Sequence, residues 1–190
     1  MNRRLGVFAS GRGSNFESIL RAIQAGDLDA EVAVLISDKE NAPALETARS
    51  NGIPAVYHPY DRHDRETFER AADATLREHN VELVILAGFM RLITPFLIEA
   101  WRGSMLNIHP SLLPAFKGVN AQQQAFDYGV KVTGCTVHEV SEEMDAGRIV
   151  AQTALEILPT DTAETLSARI LEQEHLLYPK AVATFLTGMA

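Results

Sequence analysis

The chain has a single cysteine, Cys135, in 190 residues. One thiol cannot close an internal disulfide, and it cannot build a cysteine-type zinc site. Such usage fits a reducing compartment, and with no signal peptide read in the sequence a cytoplasmic location is expected. No run approaches the roughly 20 consecutive apolar residues of a membrane-spanning helix. Two arginines, Arg3 and Arg4, precede an apolar stretch as in a signal peptide, but Gly11-Arg12-Gly13 interrupts it too early for that role. Basic residues are outnumbered, 17 Lys and Arg against 25 Asp and Glu, for a net charge of −8. A broad nucleic-acid surface needs clustered cations and is therefore excluded, whereas an anionic small molecule held by a few local groups is not. Gly-x-Ser-x-Gly and Gly-Lys-Ser/Thr are also missing. Neither a nucleophile elbow nor a nucleoside-triphosphate loop of the usual kind is present.

What remains is an ordinary globular composition, 46% hydrophobic and 22% charged, in a chain long enough for a sizeable core. No repeat, low-complexity tract or linker interrupts it, so residues 1–190 are expected to form one domain. Hydrophobic periodicity predicts strands over residues 4–10, 31–37, 54–58, 82–87, 104–109, 134–140 and 148–155. Helices are predicted over 15–25, 42–50, 65–79, 94–101, 121–128 and 162–186, the last with a possible bend at Pro179. The run "ELVILA" is continuously apolar, as in a strand buried on both faces. Strand–helix alternation argues for an α/β fold, a doubly wound and mostly parallel sheet with helices on both faces. The short connector between the last two strands argues for a mixed or antiparallel end.

Two places in this pattern carry chemistry. "SGRGSN" follows the first strand and opens the first helix. Gly11 and Gly13 permit a tight turn, and the helix N-terminus adds partial positive charge. Ser14 and Asn15 are good capping types and can donate to phosphate oxygens. The dinucleotide fingerprint is incomplete, because Phe16 stands where its third glycine would be. A phosphate loop and a plain capped turn both fit, and the position after a first strand favours phosphate.

The second place is "SMLNIHPSLLP", where Asn107 and His109 lie two residues apart on one strand face and Pro110 helps end the pairing. The loop 141–147 supplies Asp145 between two later strands, and topology brings it to the same sheet edge. A carboxylate beside an imidazole favours the imidazolium and fixes its orientation. Imidazolium and amide would be two donors aimed at one developing oxyanion. Ser111 or Cys135 as a nucleophile lacks any supporting pattern, so the nucleophile is expected to arrive with the substrate. His58, Asp61, His63 and Asp64 match no metal motif, and His138 reads as structural.

"FASGRGSN", "LAGFMRLIT", "LNIHPSLLPAFKG", "TGCTVHEV", "MDAGRIVAQ" and "QEHLLYP" occur in this order. Together they resemble the phosphoribosylglycinamide formyltransferase family, the glycinamide ribonucleotide transformylases of the folate-dependent formyltransferase superfamily. The resemblance runs from Leu5 to Pro179. It implies a Rossmann-like formyltransferase fold and formyl transfer from the co-substrate 10-formyltetrahydrofolate to the amine of glycinamide ribonucleotide, without a metal. It implies that Asn107 and His109 polarise the formyl carbonyl, with His109 as general acid. Asp145 would support His109 and position a water that relays the amine proton. Gly13, Ser14 and Asn15 would hold the ribose phosphate, and Glu174 would contact the ribonucleotide. Arg65, Met90, Arg91, Leu92, Ile93, Asn107 and Met144 would serve the folate. Small-molecule substrates, no nucleic acid, no membrane and a homodimer are the partner expectations of that family.

One position departs from the pattern: Asn120 stands where the family often has His, and it puts a substrate contact there in doubt. Within the superfamily, an amino-sugar formyltransferase or a formyltetrahydrofolate hydrolase-like enzyme are the alternatives. The hydrolase would carry an additional regulatory domain. A methionyl-tRNA formyltransferase would need a basic surface, against the acidic balance here. A non-catalytic nucleotide-sensing module would keep the glycine loop without needing Asn107, His109 and Asp145 together.

Overall fold

The computed structural model describes residues 3–188. Hydrogen bonding orders its seven strands β3-β2-β1-β4-β5-β6-β7. The chain divides into two compact units, one ending at Leu106 and the other starting at Asn107.

The first unit contains β1 (Arg3–Phe8), α1 (Ser14–Ala25), β2 (Ala30–Ser37), α2 (Pro43–Ser50) and β3 (Ala55–Tyr57). It continues with α3 (Arg65–Glu78), β4 (Leu83–Leu86), α4 (Pro95–Ala100) and the start of β5 (Met105–His109). β1 pairs in parallel with β2 and β4, and β2 pairs in parallel with β3. Every residue of β4 is buried, the outcome expected of its unbroken apolar run when helices cover both faces. The second unit holds the end of β5, α5 (Ala121–Tyr128), β6 (Val132–Glu139), β7 (Ile149–Glu156) and α6 (Ala163–Gly188). β6 and β7 are antiparallel, so the sheet is mixed at that end as the short connector implied. The α/β class is that read from the sequence. Most element ends shift by one or two residues, where caps rather than periodicity decide the boundary. α6 runs through Pro179 as one helix.

The segment 87–94 leaves β4 for α4 without regular structure, yet it is tied down along its length. Ala87 N–H donates to the Phe8 carbonyl at 2.9 Å, and Met90 N–H donates to Ser10 Oγ at 2.9 Å. Phe89 meets Phe8 edge-on at 5.2 Å and stacks on Phe68 at 5.7 Å between ring centroids. At the far end Glu69 accepts from Thr94 N–H at 2.7 Å and also from the Thr94 hydroxyl. The charged run Arg62–Arg70 reads from sequence as a solvent-facing helix start with i,i+4 pairs, yet Glu69 within it is only 2% exposed. It caps α4 from α3, a role visible only in three dimensions because Thr94 itself makes no side-chain cap.

Replacing Glu69 by Ala leaves the half-buried Thr94 N–H and hydroxyl without their acceptor, and Glu69→Ala is expected to cost about 1–3 kcal/mol of stability. A urea titration followed by circular dichroism measures it, and an unchanged midpoint would show that water replaces the carboxylate without loss.

Candidate active site

Four side chains of the second unit converge in a polar ring, linked in the order His109, Asp145, His138, Asn107. Asn107 and His109 extend from the same face of β5, the result of their i, i+2 spacing. Asp145 lies in the loop after β6, with its backbone in the left-handed region at φ 52°. Asp145 Oδ2 accepts from Gly118 N–H at 2.8 Å and stands 3.4 Å from His109 Nδ1. The fourth member is His138, whose Nε2 is 3.7 Å from Asp145 Oδ1 and 3.2 Å from Asn107 Nδ2. All but Asn107 are largely buried.

The hydrogen bonds fix the tautomers. His138 Nδ1 lies 2.9 Å from the Glu139 carbonyl, which can only accept. Nδ1 therefore carries the proton, and Nε2 presents a lone pair that accepts from the Asn107 amide N–H. This orients the amide and leaves its second N–H and its oxygen for a ligand. His109 Nε2–H donates to the Phe116 carbonyl at 2.9 Å, which leaves Nδ1 facing Asp145. Burial pushes the His138 imidazole below its ordinary pKa of 6.5; the Glu139 carbonyl and Asp145 oppose that shift, and His109 adds to it.

Local backbone builds this ring. Val137 pairs with Ala151 and His138 with Ile149, so a register shift re-aims the strand at His138. Phe116, Asn120 and Asp145 are three of the four non-glycine residues with positive φ among the described residues. Such strain concentrates where surrounding contacts over-determine the backbone. Gly147 supplies one of those contacts: a Cβ there would run into the Glu139 carbonyl, its carbon 2.8 Å away. The loop 111–116 is pinned to the hairpin, because Thr136 Oγ1 donates to Ser111 O at 2.7 Å and accepts from Leu113 N–H at 3.0 Å. Asn120 has φ 57° at the start of α5, a conformation Asn tolerates better than most residues. It lines an open hollow of about 340 Å³ with Gln122, Gln123, Ala163, Glu164 and Ser167, away from the four ring residues.

Among the described residues, no protein nucleophile emerges. The Ser111 hydroxyl is fully buried and donates to the Ala115 carbonyl at 2.6 Å. Cys135 is packed with Leu166 and Ile170, and burial first, then the charge of Glu174, pushes its thiol up to about 12. Glu174 is itself buried on α6, unlike its exposed neighbour Glu172. Met144 is half exposed, and its methyl reaches to 3.7 Å from a Cβ placed on Gly118.

In the first unit the glycine loop differs in detail from its expected form. Gly13, at φ 78°, is the N-cap of α1, while Ser14 and Asn15 are its first two helical residues and no side chain caps it. Only glycine fits there: the φ is left-handed, and a Cβ would sit 2.8 Å from Ala44 Cβ. No capping side chain therefore accepts from the first-turn N–H groups. On the tied segment 87–94, Met90 is 75% and Leu92 55% exposed. Two apolar side chains held outward on a fixed backbone suit a ligand better than a core. Ile93 is half-buried beside them, and Arg65 is the first residue of α3. His58, Asp61, His63 and Asp64 serve local structure, with Asp64 capping α3 through Thr67 and His58 bound to Thr75.

The chain matches the formyl transferase family over residues 3–182. It belongs to that family. It is 47% identical over 185 residues to the phosphoribosylglycinamide formyltransferase of Bacillus subtilis, covering 97% of this chain and 95% of that protein. It is 41% identical to the trifunctional purine biosynthetic protein adenosine-3 of Homo sapiens, of which the match covers only 18%. Glycinamide ribonucleotide transformylase 1 from Symbiobacterium toebii superposes with a TM-score of 0.94 at 44% identity, over 98% of this chain and 89% of that one. A formyltetrahydrofolate deformylase from Pseudomonas syringae superposes with a TM-score of 0.93 at 26% identity, over 99% of this chain and 62% of that one.

His138 is the one member of this formyl transferase's polar ring that sequence reasoning assigned to structure alone. Its signal was present: Cys135 and Val137 alternate with Thr136 and His138 along β6, so His138 shares a face with Thr136. A shared face does not reveal the register shift that turns it toward Asn107.

Because burial lowers the His138 pKa on folding, above pH 6.5 the imidazole is neutral in both states and contributes no pH dependence. Below 6.5 the unfolded chain takes up a proton that the folded one refuses, so stability falls with pH until the lowered folded value is reached. Melting temperature between pH 7 and pH 5 is expected to fall more steeply in the parent than in His138→Gln; equal slopes would contradict the burial argument. For Cys135, iodoacetamide at pH 8 is expected to leave the native thiol unlabelled and to modify it after unfolding. Labelling of the native protein would show that the thiol is accessible.

Proposed function

We propose that this chain transfers a formyl group from 10-formyltetrahydrofolate to the amine of glycinamide ribonucleotide, a step of de novo purine synthesis, and that residues 1–190 act as one catalytic domain. The observation that carries the chemistry is the ring of Asn107, His109, Asp145 and His138, two side-chain donors around a buried carboxylate with no protein nucleophile beside them. Support for the ribonucleotide acceptor comes from the names of the Bacillus subtilis and Symbiobacterium toebii proteins, and the formyl transferase family supports a formyl-folate donor. A family match over 3–182, across both compact units, supports the single domain. Such an enzyme of purine synthesis is assigned to the cytoplasm.

The amine lone pair adds to the formyl carbon, and the carbonyl electron pair moves to oxygen. The free N–H of Asn107 and a proton of His109 stabilise that oxyanion. The Phe116 carbonyl engages His109 Nε2–H, and Nδ1 lies 3.4 Å from Asp145, so donation to the oxyanion requires the imidazole to leave one of these partners. Catalytic hydrogen bonds often form fully only with substrate bound. Collapse of the tetrahedral adduct expels N10 of tetrahydrofolate, which takes up a proton, while the amine loses one through a water held by Asp145. Preorganised charge and proximity supply the acceleration.

The remaining roles follow the same assignment. Gly13, Ser14 and Asn15 receive the ribose phosphate at the start of α1, and Glu174 contacts the ribonucleotide. Arg65, Met90, Arg91, Leu92, Ile93, Asn107 and Met144 receive the folate.

A formyl-transfer assay that compares glycinamide ribonucleotide, a sugar amine and water as acceptors tests the substrate. Preference for the sugar amine, or deformylation by water at the same rate, would overturn it. His109→Ala is expected to lower kcat by about 10²–10⁴ while the ribonucleotide still binds. Turnover at the parent rate would remove His109 from the mechanism.

A further inference from the structure

Arg91 is the cation in an otherwise apolar, outward-facing segment, and its surroundings are built around it. Asp38 follows directly on β2, and its side chain is fully buried. Asp38 Oδ2 accepts from Arg91 Nε at 2.6 Å. The other carboxylate oxygen, Oδ1, is buried with no hydrogen-bond partner. On its flat side the guanidinium lies 4.5 Å from the Tyr60 ring centroid. Tyr60 in turn meets Phe68 edge-on at 5.7 Å, in the same aromatic cluster that anchors Phe89.

A buried carboxylate with one unmatched oxygen is a poor stabiliser, because desolvation of the charge is only partly repaid by one partner. Its geometry suits a different task. Held at Nε and stacked on a ring, an arginine loses its rotamer freedom before any ligand arrives, while a third of the side chain stays exposed. The Nη1–Nη2 end of the fork is then available for two parallel bonds to a carboxylate. Met90 and Leu92, exposed on either side in sequence, offer apolar contact. The combination suits a ligand that joins a flat hydrophobic body to an acid group.

We propose that Asp38 is a positioning residue that, together with Tyr60, presets the Arg91 guanidinium for the carboxylate tail of the folate co-substrate. This rests on the assignment of Arg91 to the folate. Asp38 touches no reacting atom, and its contribution is to reduce the ordering cost of the Arg91 contact.

The test is steady-state kinetics of Asp38→Asn, Arg91→Ala and the double variant, each substrate varied in turn. Asp38→Asn is expected to raise KM for 10-formyltetrahydrofolate about tenfold, with kcat and the ribonucleotide KM nearly unchanged, and to add nothing once Arg91 is Ala. An unchanged folate KM, an equal rise in the Arg91→Ala background, or a matched loss in kcat and both KM values would overturn the proposal. Should Asp38→Asn not fold, Tyr60→Leu loosens the other face of the same guanidinium. It is expected to raise the folate KM in the parent but not in Arg91→Ala, and an unchanged value overturns the presetting. If the parent transferred no formyl group to the ribonucleotide, the functional assignment would fail by itself. Equilibrium binding of 5-formyltetrahydrofolate would then still read the Asp38–Arg91 coupling: weaker binding in Asp38→Asn only while Arg91 is present supports it, and equal binding sinks it.

Discussion

The geometry of the candidate site depends on where one carboxylate is held. Asp145 receives the Gly118 N–H on Oδ2 and presents its two oxygens to His109 and His138. Its left-handed backbone is costly for a non-glycine residue and persists because neighbours over-determine it. Gly147 approaches the Glu139 backbone too closely for any side chain, and Lys117 pairs with Glu143 at 2.9 Å. The loop therefore cannot drift without breaking contacts at both ends. Once Asp145 is fixed, the imidazole of His109 has one orientation, and His138 sets the amide of Asn107.

The same design recurs in the first unit with different chemistry. Segment 87–94 has no regular structure, yet Ser10, Phe68 and Glu69 hold its backbone, so its exposed Met90 and Leu92 are presented rather than loose. Asp38 and Tyr60 do for Arg91 what the Glu139 carbonyl and His138 do for Asn107. In each case a neighbouring group removes rotational freedom from a side chain that the proposed function assigns to substrate or co-substrate. Binding energy is then not spent on ordering the site.

Burial decides which groups stay out of the chemistry. Cys135, with its thiol pushed up to about 12, and Ser111, donating to a carbonyl, are removed as nucleophiles by their surroundings rather than by residue type. That fits a transfer in which the acceptor amine attacks directly. The membership of the formyl transferase family and the 47% identity to the Bacillus subtilis enzyme fit the same conclusion from another direction.

Sequence alone determined the α/β class, the buried β4, the mixed end at β6 and β7, and the shared face of Asn107 and His109. Each of these follows from side-chain periodicity, which the backbone geometry of strands and helices imposes locally. Ordered motifs further marked the family. Tertiary structure decided what periodicity cannot encode. Gly13 rather than Ser14 caps α1, because packing against Ala44 leaves room only for hydrogen. Glu69 is a buried cap rather than a surface charge, because the N–H it accepts from belongs to Thr94, 25 positions away. His138 enters the polar ring through a register shift, and Asp38 meets Arg91 across 53 residues of chain. These are contacts between segments distant in sequence, and only the packed chain specifies them.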